Sequence, residues 1–263
     1  MISPDDRGFL LGDGVFDTLA IRSGKPQFLA QHQQRFIRHA AAIGIAYDAL
    51  ELEHAHKQQL AAITGDAILR STVSRGVTGH GLWPIGAAPI PTLAFRVSPL
   101  HEGMIATTAR LCLAPMLRNE TSPTSRIKSL SYLDSVLAAR HAAMSGADDA
   151  LFLNSAGQIA CSTMANLFLL EGNSLVTPPS TDGAMDGVIR QVLLDHPPAG
   201  ILVLQEQCTI DRMLAADAVF LTNSVRLVRP VTEFEGKVIG KNTVVQSDIL
   251  ELLLSHLTTL ATR

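Results

Sequence analysis

Charge is scarce in this chain. Only 17% of its 263 residues are Asp, Glu, Lys or Arg, and 21 basic against 24 acidic residues leave a net charge of −3. No basic stripe interrupts that balance, so there is no electrostatic footprint for nucleic acid. Cysteine is rarer still. Cys112, Cys161 and Cys208 are odd in number and widely spaced, which fits neither a disulfide framework nor a zinc site and points to a reducing cytoplasm. Long apolar runs are missing as well. Stretches such as "ADAVFL" fall far short of a membrane span, and the opening "MISPDDRGFL" has no charged-then-apolar signal region. What the chain does have is hydrophobic content, 47% of residues, with a mean hydropathy of +0.23. That is enough for one large core or two moderate ones. It also implies apolar surface covered by a partner such as a second copy.

The pattern along the chain is mixed. "GVFDTLAIR" reads as a strand, "SGKP" as a turn and "PQFLA" as a further extended run. "QHQQRFIRHAAAIGI" carries Phe36, Ala40 and Ile43 at helical spacing. "ELEHAHKQQLAAITG" predicts a second helix ending at Gly65. "AILRSTVSRG" and "PTLAFRVSP" read as strands joined by "VTGHGLWPIGAAPI", a loop long enough to be functional. A thinner region follows, and a domain boundary is expected near residue 100. The two domains are then residues 1–100, small and N-terminal, and 101–263, larger and C-terminal. Beyond the boundary come a helix from Leu130, strands at "DALFLN", "NLFLL" and "NSLVTPP", a helix from Val188 and a strand at "ILVLQEQ". A short helix at "TIDRMLAA", a strand at "AVFLTN" and a last helix from Val244 complete the pattern. No repeat or low-complexity segment appears, so the fold class is α/β, of the mixed α+β kind.

Lysine is the scarce residue that carries the argument. Lys25, Lys57, Lys237 and Lys241 sit in turns or on a polar helix; Lys128, in "SRIKSLSYLDSVLAARHA", precedes an apolar face formed by Leu130, Leu133, Leu137 and Ala138. A cation at a helix start works against the helix dipole. It is either a lysine snorkelling to water or an amine whose lost proton affinity lets it condense with an aldehyde. Three other features belong beside it. Gly183 and Gly187 precede a helix whose first amides, those of Val188 and Ile189, can seat a phosphate. "FLTNSVRLVRPV" ends a strand in Thr222, Asn223 and Ser224, small polar groups that suit the same anion or simply a turn. Arg35 is either an exposed helical arginine or a bidentate phosphate contact. His54 and His56 face different sides of their helix and make no metal site. Asp148 and Asp149 are expected to be solvated. Phe16, Arg75 and His80 stand as substrate-side candidates.

In order, "DRGFLLGDGVFDTLAIRSGKPQFLAQHQQR", "IKSLSYLDSVLA", "GADDALFLNSAGQIACSTMANLFLL", "MDGVIRQVLL" and "LTNSVRLVRPV" resemble the class IV pyridoxal-phosphate aminotransferases, fold type IV. That group includes branched-chain aminotransferases, D-amino acid aminotransferases and 4-amino-4-deoxychorismate lyases. The resemblance implies a two-domain, D-amino acid aminotransferase-like subunit with pyridoxal 5'-phosphate in the interdomain cleft, working as a homodimer on a small amino-acid-like substrate. It assigns Lys128, in the second domain, as the lysine that holds the cofactor and moves protons. It further assigns Arg35, Val188, Ile189, Asn223 and Ser224 to the phosphate.

Two departures stand out. The family has a glutamate on the pyridine nitrogen five residues before the asparagine of "NLF"; here that position is Cys161, a weaker partner for a protonated ring. Relatives also carry a strand before "DRG", which here is absent or lies upstream of the recorded start. "SRGVTGHGL" and "TNSVRLVRPV" are most like the lyases. The arginine and histidine by which D-amino acid aminotransferases trap a carboxylate are replaced by His80 and Leu82. The expected activity is an aminodeoxychorismate lyase, releasing pyruvate and 4-aminobenzoate. The alternatives are an aminotransferase on the same fold, or a binding protein that has lost turnover at Cys161.

Overall fold

The computed structural model describes residues 2–79, 81–82, 89–104, 107–240 and 243–261. Contacts divide the chain into two units. One comprises Met1–Leu100 with Ile127–Tyr132, the other His101–Arg126 with Leu133–Arg263. The segment that holds Lys128, read from sequence as part of the second half, therefore goes with the first unit.

The first unit begins with a one-turn helix, α1 (Arg7–Leu11), capped by Asp6, which accepts the Gly8 amide. Then follow β1 (Gly14–Arg22), β2 (Lys25–Pro26), α2 (Leu29–Ala42), α3 (Ala49–Leu60), β3 (Ala67–Ser74) and β4 (Thr92–Pro99). The sheet order is β2-β1-β3-β4, antiparallel throughout. The extended run expected after "SGKP" is cut short because Phe28, at φ 55°, turns the chain into α2. Asp48 caps α3 by accepting the Leu50 and Glu51 amides, and the helix stops at Leu60 rather than Gly65. Alternate residues of β1 and β3 pack against the helices. Val15, Val73, Phe36, Ala40 and Leu52 form one cluster; Leu19, Ile21 and Leu69 form another.

The second unit carries β5 (Ala109–Leu113), α4 (Pro123–Arg126), α5 (Leu133–Met144), β6 (Asp149–Leu153), β7 (Ile159–Ser162), β8 (Asn166–Glu171) and β9 (Ser174–Thr177). It continues with α6 (Val188–Asp195), β10 (Leu202–Gln205), α7 (Ile210–Ala215), β11 (Ala218–Asn223), β12 (Leu227–Phe234), β13 (Lys237–Val238) and α8 (Thr243–Ala261). The sheet runs β10-β9-β8-β11-β12-β5-β6-β7, with β13 beside β12. It curls so that β7 returns next to β8 through the turn in which Ser162 and Ala165 bond each other. Leu111, Leu151, Ile159, Leu167, Leu169, Val219, Leu221 and Val231 fill its interior. Helix α5 departs from the sequence reading. It starts at Leu133, and its buried face is Ser135, Ala138 and Ala142, while Leu133 and Leu137 are exposed. No helix among the described residues is long and apolar enough to cross a membrane.

Candidate active site

The outer edge of β1 is only partly used by β2, which pairs with Ile21 and Arg22. Residues 128–130 take the other end of that edge. Phe16 N donates to Lys128 O at 2.9 Å, Leu130 N donates to Gly14 O at 2.9 Å, and Ser129 bridges Val15 in antiparallel register. The Lys128 amide in turn donates to His39 Nδ1, 3.0 Å away on α2. The lysine therefore lies in a turn between α4 and α5, its backbone tied to a strand and a helix, and not on a helix start. This removes the dipole conflict that its position in sequence raised.

Its side chain reaches the Phe16 ring, with Nζ 4.3 Å from the centroid, and lies 5.3 Å from the ring of Tyr132. The two rings meet edge to face at 5.2 Å. Arg70, on β3, lays its guanidinium 3.6 Å from the same Phe16 centroid. Two cations thus share one aromatic ring, an arrangement favourable to each singly but repulsive between them. Burial pulls the Lys128 amine down to about 7, the nearby Arg35 charge adds to the fall, Asp17 opposes it and Arg70 reinforces it. The residue keeps partial surface exposure, and the lowered value favours the neutral amine far more than in a free lysine. Among the described residues, no side chain hydrogen-bonds Lys128 Nζ.

Arg35 proves to be buried, at 4% exposure. It donates from Nε to Asp17 Oδ2 at 2.9 Å, with Nη2 2.8 Å from the same oxygen. Phe16 sits at Lys128, as its candidacy requires. Arg75 does not. Its donors go to Asp13, Ile43 O and Gly44 O, and with Arg7, which bonds Asp13, Gly81 O and Leu82 O, it ties the start of the long loop to the sheet. His80 lies outside the described residues.

The remaining candidates belong to the second unit. Gly187 is the N-cap of α6 and no side chain caps the helix, so the amides of Val188 and Ile189 stay available to an anion. Gly187 lies against Asn166. A Cβ there would fall 2.1 Å from Asn166 Oδ1, and Asn166 Nδ2 donates to Met185 O at 2.8 Å. Thr222, opposite Asn166 in the β8–β11 register, has a buried hydroxyl without a partner among the described residues. Asn223 Oδ1 accepts from Val225 N and Arg226 N, which makes the Asn223–Ser224 stretch a turn built on the asparagine side chain.

Cys161 is buried beside Phe152 on β6 in a cluster lined mainly by alanines. Burial raises its thiol, against the pull of the Arg118 charge, so Cys161 is a neutral thiol. Asp149, expected in solvent, is 4% exposed and accepts from the Thr163 hydroxyl and from the Thr163 and Ala150 amides.

The sequence matches the amino-transferase class IV family over residues 14–234. The chain belongs to the class IV aminotransferases. A Methanocaldococcus jannaschii protein named as a branched-chain-amino-acid aminotransferase is 31% identical over 255 residues, 92% of this chain and 86% of that one. The aminodeoxychorismate lyase of Bacillus subtilis is 27% identical over 259 residues, covering 96% of this chain and 88% of the lyase. Among solved structures, one from Legionella pneumophila named as a 4-amino-4-deoxychorismate lyase superposes with a TM-score of 0.86 at 31% identity, over 97% of this chain and 95% of that one. The fold is fold type IV, and the chain is a pyridoxal-phosphate-dependent enzyme.

The residues present suit that cofactor. Lys128 offers an amine with depressed proton affinity and, among the described residues, no hydrogen-bonding partner, as condensation with an aldehyde needs. The uncapped α6 amides and the unpartnered Thr222 hydroxyl are donors that suit a phosphate. Sequence reading missed Asp17, His32, His39, Arg70 and Tyr132. Asp17 did leave a signal: it is a charge set in the alternating apolar face of Val15, Leu19 and Ile21.

Proposed function

We propose that this enzyme is a lyase that converts 4-amino-4-deoxychorismate to 4-aminobenzoate and pyruvate. The observation that carries the reading is the cluster around Phe16, where Lys128 and Arg70 converge and neither forms an ion pair with a carboxylate among the described residues. Arg70 is also paired in register with Arg96 on β4. Like charges directly opposite across strands are destabilising. An anionic substrate with more than one carboxylate relieves that repulsion, and 4-amino-4-deoxychorismate has two.

Lys128 would hold the cofactor, with the phosphate taken by the Val188 and Ile189 amides, the Asn223–Ser224 turn and the donor that Arg35 does not spend on Asp17. When bound, pyridoxal phosphate withdraws the electrons released by breaking the C–H bond beside the substrate nitrogen. Lys128 then works as base and acid in turn. It removes the ring proton next to the amine, the enolpyruvyl C–O bond breaks as the ring becomes aromatic, and a proton is returned to the three-carbon fragment to give pyruvate. The amino group stays on the product, so no oxidant, reductant or amino acceptor is consumed. An amine near neutrality suits both transfers. Phe16 and Tyr132 keep water from it, and Arg70 orients the substrate by a carboxylate.

The neutral thiol of Cys161 supports a lyase over a transaminase. It cannot hold a charged pyridinium as a carboxylate would, so the site is a weaker electron sink, and aromatisation supplies driving force that transamination lacks. The similarity to a branched-chain aminotransferase keeps an aminotransferase as the second reading. A binding protein without turnover is the third. The exposed Leu133, Val136, Leu137 and Met144 of α5 support a homodimer as the working form.

The test is to supply holoenzyme with 4-amino-4-deoxychorismate and follow pyruvate and 4-aminobenzoate together. One pyruvate per 4-aminobenzoate, without added keto acid, is expected. No pyruvate, with an amino-acid-dependent change to the pyridoxamine form, would replace the lyase by an aminotransferase. Cofactor binding with neither reaction would leave the binding protein.

A further inference from the structure

The buried face of α2 is made of His32, Arg35, Phe36, His39 and Ala40, three of them polar where an inward helix face is ordinarily apolar. Buried polar groups persist when their hydrogen-bonding atoms are paired. His32 Nδ1 bonds Asp17 Oδ1 at 2.5 Å, and Arg35 Nε donates to Asp17 Oδ2 at 2.9 Å. His39, 3% exposed, faces something else. Its Nδ1 accepts the backbone amide of Lys128 at 3.0 Å.

That bond replaces one that the strand edge would otherwise make. Ser129 stands opposite Val15 in antiparallel register, so Lys128 stands opposite Phe16 and Leu130 opposite Gly14. In a regular antiparallel ladder, a pair that makes one N–H···O bond makes the reciprocal bond as well. Phe16 N donates to Lys128 O at 2.9 Å, but the Lys128 amide goes to His39 instead of Phe16 O. The Gly14–Leu130 pair is also half made, because Gly14 N donates to Gly12 O at 2.9 Å. The edge pairing therefore stops at Lys128, and an imidazole from α2 stops it.

The same bond fixes the imidazole. A backbone N–H can only donate, so Nδ1 presents its lone pair and the neutral ring of His39 carries its hydrogen on Nε2. His32, whose Nδ1 meets a carboxylate, carries its hydrogen on Nδ1. Two histidines on one helix face are thus held in opposite tautomers, each set by the group it meets.

We propose that His39 is a positioning residue for the cofactor lysine: it holds the Lys128 amide off Phe16 O and so sets where the lysine side chain leaves the backbone. From that root the side chain brings Nζ to 4.3 Å from the Phe16 ring centroid. Without an acceptor on α2, the amide would close the ladder on Phe16 O and carry the root of the side chain with it. This assignment rests on Lys128 being the lysine that holds the cofactor, and the experiment keeps the two separable.

Wild type, His39→Leu and His39→Asn are titrated with pyridoxal phosphate, reading the visible absorption that borohydride bleaches, with melting temperature measured beside it. Leucine fills the space without an acceptor; asparagine puts Oδ1 where Nδ1 stood. His39→Leu is expected to weaken cofactor uptake about tenfold, the effect of leaving one buried donor unpaired, and His39→Asn to return it to the wild-type value. Uptake unchanged in His39→Leu, or equally weak in both variants, overturns the proposal, because a role in packing alone follows volume and stability rather than the acceptor. Nitrogen NMR of protein carrying isotope-labelled histidine reads the His39 ring without cofactor. Hydrogen on Nε2 with a bare Nδ1 is expected; hydrogen on Nδ1 overturns the proposal. Should His39→Leu fail to fold, the ring reading decides. Borohydride label on a lysine other than Lys128 would overturn the cofactor assignment and this inference together. Label on Lys128 with unaffected His39 variants would overturn this inference alone.

Discussion

Replacing Lys128 by methionine should make the apoprotein more stable, by an amount that depends on pH. Burial holds the Lys128 amine at about 7 in the folded chain, against about 10.4 for an unperturbed lysine. A lysine with a lowered folded-state value destabilises the native state fully below the lower value, and the penalty is relieved as pH rises toward the upper one. Between the two the unfolded chain binds the extra proton, so wild-type stability gains with rising pH. The linkage integral gives a penalty of about 4 kcal/mol at pH 7 and about 2 kcal/mol at pH 9. Methionine has a similar length, no charge to desolvate, and a sulfur that can replace the contact with Phe16. Urea unfolding of both proteins at the two pH values is the assay. The expected stability difference is largest at pH 7 and roughly halves by pH 9. A difference of equal size at both, or a less stable variant at pH 7, would refute the idea that the surroundings of the amine lower its proton affinity.

Other substitutions report on separate parts of the account. Gly187 has φ −61°, which suits any residue, but an alanine methyl would meet Asn166 Oδ1 at 2.1 Å. Gly187→Ala should cost about 1–3 kcal/mol through the displaced Asn166 bond and weaken cofactor binding, read by thermal melting and by titration with pyridoxal phosphate. Arg70→Gln should raise KM for 4-amino-4-deoxychorismate about tenfold or more, the loss of a charged hydrogen bond, with cofactor affinity unchanged; unaltered KM removes Arg70 from the substrate. Cys161→Glu should speed the half-reaction with amino acids about tenfold or more, as a better electron sink would. No gain in any half-reaction would mean that the thiol is not what limits transamination.

Much of the fold is legible in the sequence because its signals are local. β1, β3, β4, α2, β6, β8, β9, α6, β10, α7, β11 and α8 follow from periodicity and turn residues. β5 and β7 do not announce themselves, since short strands buried in a curled sheet show no alternation, and β12, though eight residues long, is masked by Pro230 in its middle. Helix α5 misleads for a related reason. Leu130, Leu133 and Leu137 have helical spacing, yet Leu130 belongs to the edge segment and the small residues Ser135, Ala138 and Ala142 are the ones that pack. The site divides in the same way. Lys128 stands out by resemblance and by scarcity. The Phe16, Arg70 and Tyr132 cluster, and the sharing of Asp17 between His32 and Arg35, depend on strand register and on which β1 face meets α2. Asp149 misleads because a buried carboxylate satisfied by two amides and a hydroxyl looks in sequence like any acid at the end of a loop.

The central claim is that Lys128 carries the cofactor. The most direct measurement is to reduce the holoenzyme with borohydride, digest it and locate the pyridoxyl group by mass spectrometry, with Lys128→Ala beside it. The account predicts a yellow protein bleached by reduction, the label on the peptide containing Lys128, and no label in the variant. Label on Lys25, Lys57, Lys237 or Lys241, or a protein that takes up no pyridoxal phosphate, would contradict it.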